Sequence, residues 1–200
     1  MNKYLELIDK PQANSVNVGL SSPKLSTLIS LFGEPRDNYT GDCQPVTGPF
    51  KNRIITQSVG PFKCTGMDVA LKSLTDILDS VKNEIPDLYA ILGTAGMLCA
   101  RKVKIKRKDG TLHLGDNPSN HSWGLAIDIK LSGVLDKQSD DKCFRGLLIL
   151  SKYFNAGGWY WGVSFPNEDA MHFEVAESTL IKWRNENLIY SPHKTLRFKI

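Results

Sequence analysis

The segment SNHSWGLAIDIKL, residues 119–131, decides the fold, because it passes from a polar turn into a stretch whose side chains alternate in character. Successive side chains of a β-strand point to opposite faces. One face, predicted to pack in the core, carries four branched apolar residues: Leu125, Ile127, Ile129 and Leu131. The opposite face carries glycine, alanine, a lysine and Asp128, so space remains beside this carboxylate for a metal ion or a substrate.

Asp128 needs a partner in this position, because an unpaired buried carboxylate costs several kcal/mol. A metal ion is one possible partner. Arg101 or a lysine is the other, and sequence spacing alone does not distinguish between them.

A second segment, DAMHFEV at residues 169–175, shows the same alternation. Phe173 and Val175 are predicted to face the core, whereas His172 and Glu174 share the opposite face. We expect this strand to lie beside the first one.

His121 precedes Asp128 by seven residues, so a straight strand would place the two side chains on opposite faces. A turn at residues 122–124 would bring the imidazole back over Asp128. If the two strands pair, His121, Asp128 and His172 converge. A single histidine on a strand is more often structural than a ligand, so the prediction depends on this convergence.

Two imidazoles and one carboxylate form a ligand set that suits Zn²⁺ with an open fourth position for water. Asp169 lies three residues before His172 and is the predicted general base for that water. Arg101 is predicted to stabilise a developing oxyanion, because a guanidinium group stays charged.

These residues carry a resemblance. The pattern Ser119-x-His121-x-x-Gly124-x-Ala126-x-Asp128 resembles the signature of the zinc D-Ala-D-Ala peptidase family, peptidase family M15. That family includes carboxypeptidases, vancomycin-resistance dipeptidases and phage endolysins that cut the L-alanyl-D-glutamate bond of peptidoglycan. The segment Asp169-x-x-His172-Phe173-Glu174, preceded by GWYWG at residues 158–162, looks like the C-terminal signature of its endolysin-like branch.

The resemblance implies zinc bound by His121, Asp128 and His172, with Asp169 as base and Arg101 at the oxyanion. Some relatives have glutamate at the base position, and Glu168 stands beside Asp169 in this chain. Three further residues are assigned to the substrate cleft or to the surroundings of the metal. Ser119 and Trp161 are candidates to line the cleft, with plain packing as the alternative for Trp161, and Glu174 is expected to orient a ligand.

The fold expected from the resemblance is α+β, with a small antiparallel sheet that carries the zinc site and flanking helices, as in Hedgehog and D-Ala-D-Ala peptidase domains. A single domain is predicted. Residues 1–64 would form a helix and wrapping loops, residues 65–190 the zinc peptidase core, and residues 191–200 a tail.

Sequence periodicity predicts four helices, at residues 25–32, 71–85, 141–155 and 178–187, with Thr65 and Asp68 as a capping box for the second. A short strand is possible at residues 53–57. Alternation on both sides of Asp109-Gly110 indicates a hairpin. Its lysines and arginine between residues 102 and 108 form either a solvated edge or a surface that attracts an anionic polymer, nucleic acid or cell wall.

The predicted reaction is hydrolysis of an amide bond in the peptidoglycan stem peptide. An L-Ala-D-Glu endopeptidase is slightly preferred over a D-Ala-D-Ala carboxypeptidase. The alternative is a non-catalytic, Hedgehog-like zinc domain. A nucleic-acid partner is not expected, because no aromatic residue interleaves the basic cluster to stack on bases.

The chain has 200 residues, a net charge of +4, 41% hydrophobic and 23% charged residues, which is ordinary for a globular protein. No apolar run approaches the roughly 18 residues of a membrane span. The first ten residues do not resemble a signal peptide. We therefore expect synthesis in the cytoplasm and action on the cell wall or in the periplasm after phage lysis or export by a secretion system, as an endolysin or an antibacterial effector.

The four cysteines contain no Cys-x-x-Cys pair, which argues against a thiolate zinc site. Oxidation would allow three pairings, and the sequence does not choose among them. Unpaired buried thiols are the alternative.

Overall fold

A computed structural model describes residues 2–12, 14–106 and 110–189. The strands are β1 (Leu7–Asp9), β2 (Ile54–Ser58), β3 (Lys63–Met67), β4 (Leu92–Gly96), β5 (Lys102–Lys106), β6 (Leu112–Pro118), β7 (Ala126–Leu131), β8 (Lys142–Phe144), β9 (Trp159–Trp161) and β10 (His172–Val175). The helices are α1 (Leu25–Phe32), α2 (Asp68–Glu84), α3 (Pro86–Tyr89), α4 (Arg145–Ala156) and α5 (Glu177–Asn185). Short 3-10 helices cover Lys3–Leu5, Pro49–Arg53, Asn120–Trp123 and Gly162–Ser164. The protein is α+β, as predicted.

A four-stranded antiparallel sheet in the order β4-β7-β10-β9 carries both signature segments. β7 and β10 pair directly, so that His172 lies opposite Asp128 and Phe173 opposite Ile127. The prediction that these two segments lie side by side is confirmed. The remaining strands form three two-stranded sheets: β1-β8, β2-β3 and β5-β6.

Helices α2 and α4 pack against the apolar face of this sheet. Phe154 of α4 stacks on Phe173 of β10 with ring centroids 4.1 Å apart. The indole of Trp159 donates a hydrogen bond of 3.0 Å to the hydroxyl of Ser73 in α2. The four core-face residues predicted from alternation are all fully buried: Leu125, Ile127, Ile129 and Leu131. Burial of each such side chain contributes about 1.5–3 kcal/mol, which fixes the register of β7.

Two helix boundaries differ from those predicted. Thr65 lies in β3, where its hydroxyl contacts that of Thr56, so it does not cap α2. Asp68 is the first residue of α2 and pairs with Arg53 at 2.7 Å. The third predicted helix begins at Arg145, because residues 142–144 pair with β1 as a strand.

The segment predicted as loops contains a hairpin. β2 matches the short strand expected near residues 53–57, and β3 was not predicted. Residues 63–67 have no apolar alternation, so their strand depends on pairing with β2. The β5-β6 hairpin is confirmed, and His113 lies exposed on β6. Residues 107–109, which include Asp109 of the predicted turn, lie outside the described residues, and so does the predicted tail at residues 191–200.

Cys43 and Cys99 form a disulfide. Cys64 and Cys143 are free and buried, and burial raises the pKa of the first thiol to about 11 and of the second to about 12. Both therefore remain neutral thiols in the core. Within the described part of the chain, no helix combines the length and apolar character needed to cross a membrane.

Candidate metal centre

The short 3-10 helix Asn120–Trp123 and Gly124 turn the chain so that His121 faces the strand that follows. Gly124 has a φ of +64°, a conformation that glycine adopts without strain. A Cβ at this position would lie 2.8 Å from the backbone nitrogen of Met67. The turn at residues 122–124, predicted from the spacing of His121 and Asp128, is therefore present and requires glycine.

Three donor atoms converge on the polar face of the sheet. His121 Nε2 lies 3.2 Å from Asp128 Oδ1 and 3.2 Å from His172 Nδ1. His172 Nδ1 lies 3.1 Å from the same oxygen of Asp128. The convergence of His121, Asp128 and His172 predicted from the sequence is thus observed, and the three form a group that could hold a metal ion.

The second nitrogen of each imidazole is engaged elsewhere. His121 Nδ1 lies 3.0 Å from the carbonyl oxygen of Met97, and His172 Nε2 lies 3.0 Å from Glu174 Oε2. Each of these acceptors favours a proton on the nitrogen that faces it. In the neutral imidazoles, two nitrogen lone pairs and a carboxylate oxygen then face one another, and a metal ion between them would be stabilised by all three.

The charges around His172 also favour a positive charge at this point of the site. Burial opposes ionisation of Asp128, but the two histidines hold the pKa of that carboxyl well below its usual range. Burial likewise opposes ionisation of Glu174, and His172 lowers its pKa. Burial alone would lower the pKa of His172, yet the Asp128 and Glu174 carboxylates raise it well above the usual value. A divalent metal would supply the positive charge that a proton on His172 supplies without it.

Glu174 connects the metal site to the turn before it. Its Oε2 atom accepts a hydrogen bond of 2.6 Å from the side-chain amide of Asn120 as well as the contact from His172. Glu174 therefore fixes the orientation of the His172 ring, as a hydrogen-bonded carboxylate does behind many metal-binding histidines. This geometry agrees with the orienting role expected from the sequence.

Asp169 lies beside the three ligands in the same cavity. Burial raises its pKa above the usual range, with a further contribution in that direction from Asp128. Glu168 is also buried, but both of its carboxylate oxygens accept backbone hydrogen bonds, from Ala170 at 2.9 Å and from Asp140 at 3.2 Å. Of these two neighbouring acids, Asp169 lines the cavity and Glu168 does not.

The cavity has a volume of about 560 Å³. Arg101 and Ser119 line it, and a hydrogen bond of 3.0 Å from the Arg101 backbone nitrogen to the Ser122 hydroxyl anchors the chain there. Trp161 does not line the cavity, because its indole is fully buried and donates a hydrogen bond of 2.6 Å to the carbonyl of Ala170. Trp161 is therefore a core residue, the alternative that the sequence left open. Its indole supports the segment between Asp169 and His172.

Two residues that contact the site residues were not predicted from the sequence. Met97 offers a backbone carbonyl, which no side-chain pattern can reveal. Gln138 donates a hydrogen bond from its side-chain amide to Asp169 Oδ2. It comes from an irregular loop with no periodicity, so only the folded chain shows the contact.

Comparison with known families is consistent with this geometry. Residues 115–175, which include His121, Asp128, Asp169 and His172, match the model of a family described as D-alanyl-D-alanine carboxypeptidase. No curated protein and no solved structure matches the chain. Peptidases of this family depend on zinc, and the donor set of the site fits that ion. The match of this segment, together with the three converging donor atoms, supports a metallopeptidase of the M15 type, a hydrolase of peptide bonds.

Proposed function

We propose that this protein hydrolyses an internal amide bond of the peptidoglycan stem peptide, of the L-Ala-D-Glu type, with His121, Asp128 and His172 as zinc ligands. The observation that carries the proposal is the placement of Asp169 in one cavity with three converging donor atoms that could hold a metal ion. A zinc ion bound there supplies a Lewis acid for the scissile carbonyl and lowers the pKa of a coordinated water.

Asp169 acts as general base and then as general acid. It accepts the proton of the attacking water and returns it to the amine that leaves when the C–N bond breaks. Its raised pKa suits both steps, because a base must also be able to donate the proton later. Burial keeps bulk water from competing for that proton.

Arg101 is the residue proposed to stabilise the oxyanion. It lines the cavity and its side chain is half-buried, with Nη1 donating to the carbonyl of Lys102 at 3.2 Å. A guanidinium retains further N–H donors for a substrate oxygen. The charge is therefore present before the reaction begins, as electrostatic stabilisation of a transition state requires.

The charges of the cavity favour an endopeptidase over a carboxypeptidase. Removal of a terminal residue needs a cation to bind the free carboxylate. Among the described residues that line the cavity, Arg101 and Lys104 are the only lysine or arginine side chains, and Lys104 is paired with Asp42 at 2.6 Å. With Arg101 assigned to the scissile carbonyl, the described lining residues leave no unpaired lysine or arginine for a terminal carboxylate.

The Cys43-Cys99 disulfide supports action outside the reducing cytoplasm. We propose that the chain reaches the cell wall after export or lysis, as an endolysin or an antibacterial effector. Phage lysis or a secretion system is the proposed delivery route.

Digestion of purified peptidoglycan followed by mass spectrometry of the muropeptides tests the function. We expect new L-alanine carboxyl ends on the glycan side and released peptides with a free D-glutamate amino group. Activity should be lost on chelation and return with zinc. Asp169→Asn should lower kcat by about 10²–10⁴-fold while zinc stays bound. Release of D-alanine alone would contradict the endopeptidase. A zinc-loaded chain that cuts no bond would support the non-catalytic alternative.

A further inference from the structure

We propose that Gln138 is a positioning residue for this reaction, one that orients the Asp169 carboxylate for proton transfer. The inference rests on the proposed function, in which Asp169 is the base. It adds a residue that neither the sequence pattern nor the matched family segment assigns a role.

The contact between Gln138 and Asp169 is specific to one oxygen. The side-chain amide of Gln138 donates to Asp169 Oδ2. Asp169 Oδ1 is buried and has no hydrogen-bond partner among the described residues. Gln138 therefore fixes the plane of the carboxylate and leaves Oδ1 as the oxygen with both lone pairs available for a proton.

The loop that carries Gln138 is fastened to the segment that carries the base. Glu168 makes the connection, because its Oε1 atom accepts from the Ala170 backbone and its Oε2 atom accepts from the Asp140 backbone. The carbonyl of Glu168 also accepts a hydrogen bond of 2.9 Å from the backbone nitrogen of Ser139. These bonds join the segment that carries Gln138 to the segment that carries Asp169. Hydrogen bonds to the backbone therefore set the position of one segment relative to the other.

A second anchor holds the start of the same loop. The Oδ2 atom of Asp136 accepts a hydrogen bond of 2.7 Å from the backbone nitrogen of Phe144, which begins the run into α4. Gln138 is thus held between Asp136 and the Glu168 bonds. The backbone on both sides of Gln138 is therefore anchored, which fixes where its side chain starts relative to Asp169.

Gln138 has no titratable group and cannot itself move a proton. Its effect must come through the orientation of Asp169, and a misplacement of a reacting group by about 1 Å can cost on the order of 100-fold in rate. Loss of the amide should therefore lower kcat and leave KM nearly unchanged.

The test replaces Gln138 with methionine, which has a similar length and no N–H donor. In the zinc-loaded full chain, Gln138→Met should lower kcat by about 10- to 100-fold on muropeptide substrates, with KM within about threefold of the wild type. Zinc affinity and melting temperature should stay unchanged. The matched control is Gln57→Met, since Gln57 lies on the separate β2-β3 hairpin.

A double variant separates positioning from a merely structural role. Adding Gln138→Met to Asp169→Asn should cause no further loss of kcat, because the residue through which Gln138 acts is already disabled. Wild-type kcat in Gln138→Met, or losses that multiply in the double variant, would overturn the proposal.

A readout without turnover keeps this test distinct from that of the proposed function. The side-chain amide protons of Gln138, followed by NMR, should exchange more slowly than those of Gln57 and lose this protection in Asp169→Ala. Equal exchange of the two glutamines would overturn the contact itself. If the wild-type chain cuts no peptidoglycan but the Gln138 protons remain protected, the proposed reaction is refuted and the contact is not. Gln138 would then position no catalytic group, so its positioning role would be refuted together with the reaction.

Discussion

At the scale of single residues, the centre depends on which nitrogen of each imidazole is left free. Met97 and Glu174 each occupy one ring nitrogen, and the two free nitrogens meet Asp128 Oδ1. The sequence motif was sufficient to predict that these three side chains converge, because strand alternation and one turn determine where they point. It could not reveal the tautomers, since these are set by a backbone carbonyl and a carboxylate brought near only by folding.

Glu174→Gln should weaken zinc binding by about 10- to 100-fold, because the neutral amide holds the His172 ring less strongly and lowers its basicity. Competition with a chromogenic chelator measures the affinity. Glu177→Gln is the matched control, because Glu177 binds Lys24 and Thr27 at the start of α1, apart from the metal ligands. Equal affinities of Glu174→Gln and the wild type would contradict the orienting role.

Asp136 should make stability depend on pH. Burial raises its pKa to about 7, and the acids Glu168, Asp140 and Asp169 act in the same direction, against the hydrogen bond from the Phe144 backbone. The folded state therefore holds a proton that the unfolded chain has already released above pH 4, so stability falls as the pH rises from about 4 to 7.

Asp136→Asn should remove this dependence of stability on pH and raise the free energy of unfolding at pH 8 by roughly 2 kcal/mol. The reason is that the amide keeps an acceptor for the Phe144 backbone and carries no charge. Urea unfolding at pH 5 and pH 8 measures both. An unchanged slope in the variant would show that another group carries the pH dependence.

At the scale of elements, pairing of β7 with β10 brings the two motif segments together, and the turn at Gly124 completes the site. Apolar alternation made both strands predictable. β3 lacks that alternation and forms through pairing with β2, which is why Thr65 resembled a helix cap in the sequence. The loop with Gln138 has no pattern of any kind, and its role follows only from tertiary contacts.

Gly124→Ala should cost at least about 2 kcal/mol of stability and weaken zinc binding. A Cβ there meets the Met67 backbone in addition to the strain of a positive φ. Gly133→Ala is the control, because its φ of +79° carries similar strain but nothing lies within 4 Å of the added atom. That variant should lose only about 1 kcal/mol and keep its zinc affinity. Equal losses in the two variants would show that the close approach to β3 is unimportant.

At the scale of the whole molecule, the first 64 residues connect to the centre through the Cys43-Cys99 disulfide. Cys99 also donates a backbone hydrogen bond of 3.0 Å to the carbonyl of His121. The sequence allowed three pairings of four cysteines, and only the packing of the 34–66 segment against the chain before Arg101 selects this one.

Replacing both Cys43 and Cys99 with serine should lower the free energy of unfolding by about 2–5 kcal/mol, because the unfolded chain regains the freedom of a long loop. Thermal or urea unfolding measures the loss. Dithiothreitol should destabilise the wild type by a similar amount and leave the double variant unaffected. A wild type whose stability does not respond to reduction would contradict this account of the disulfide.

The most direct test of the metal centre is anomalous diffraction at the zinc absorption edge from crystals of the zinc-loaded protein. We predict one zinc ion held by His121 Nε2, Asp128 Oδ1 and His172 Nδ1, the three donor atoms that converge in the structure. A zinc ion bound elsewhere, or bound through His121 Nδ1 or His172 Nε2, would contradict it.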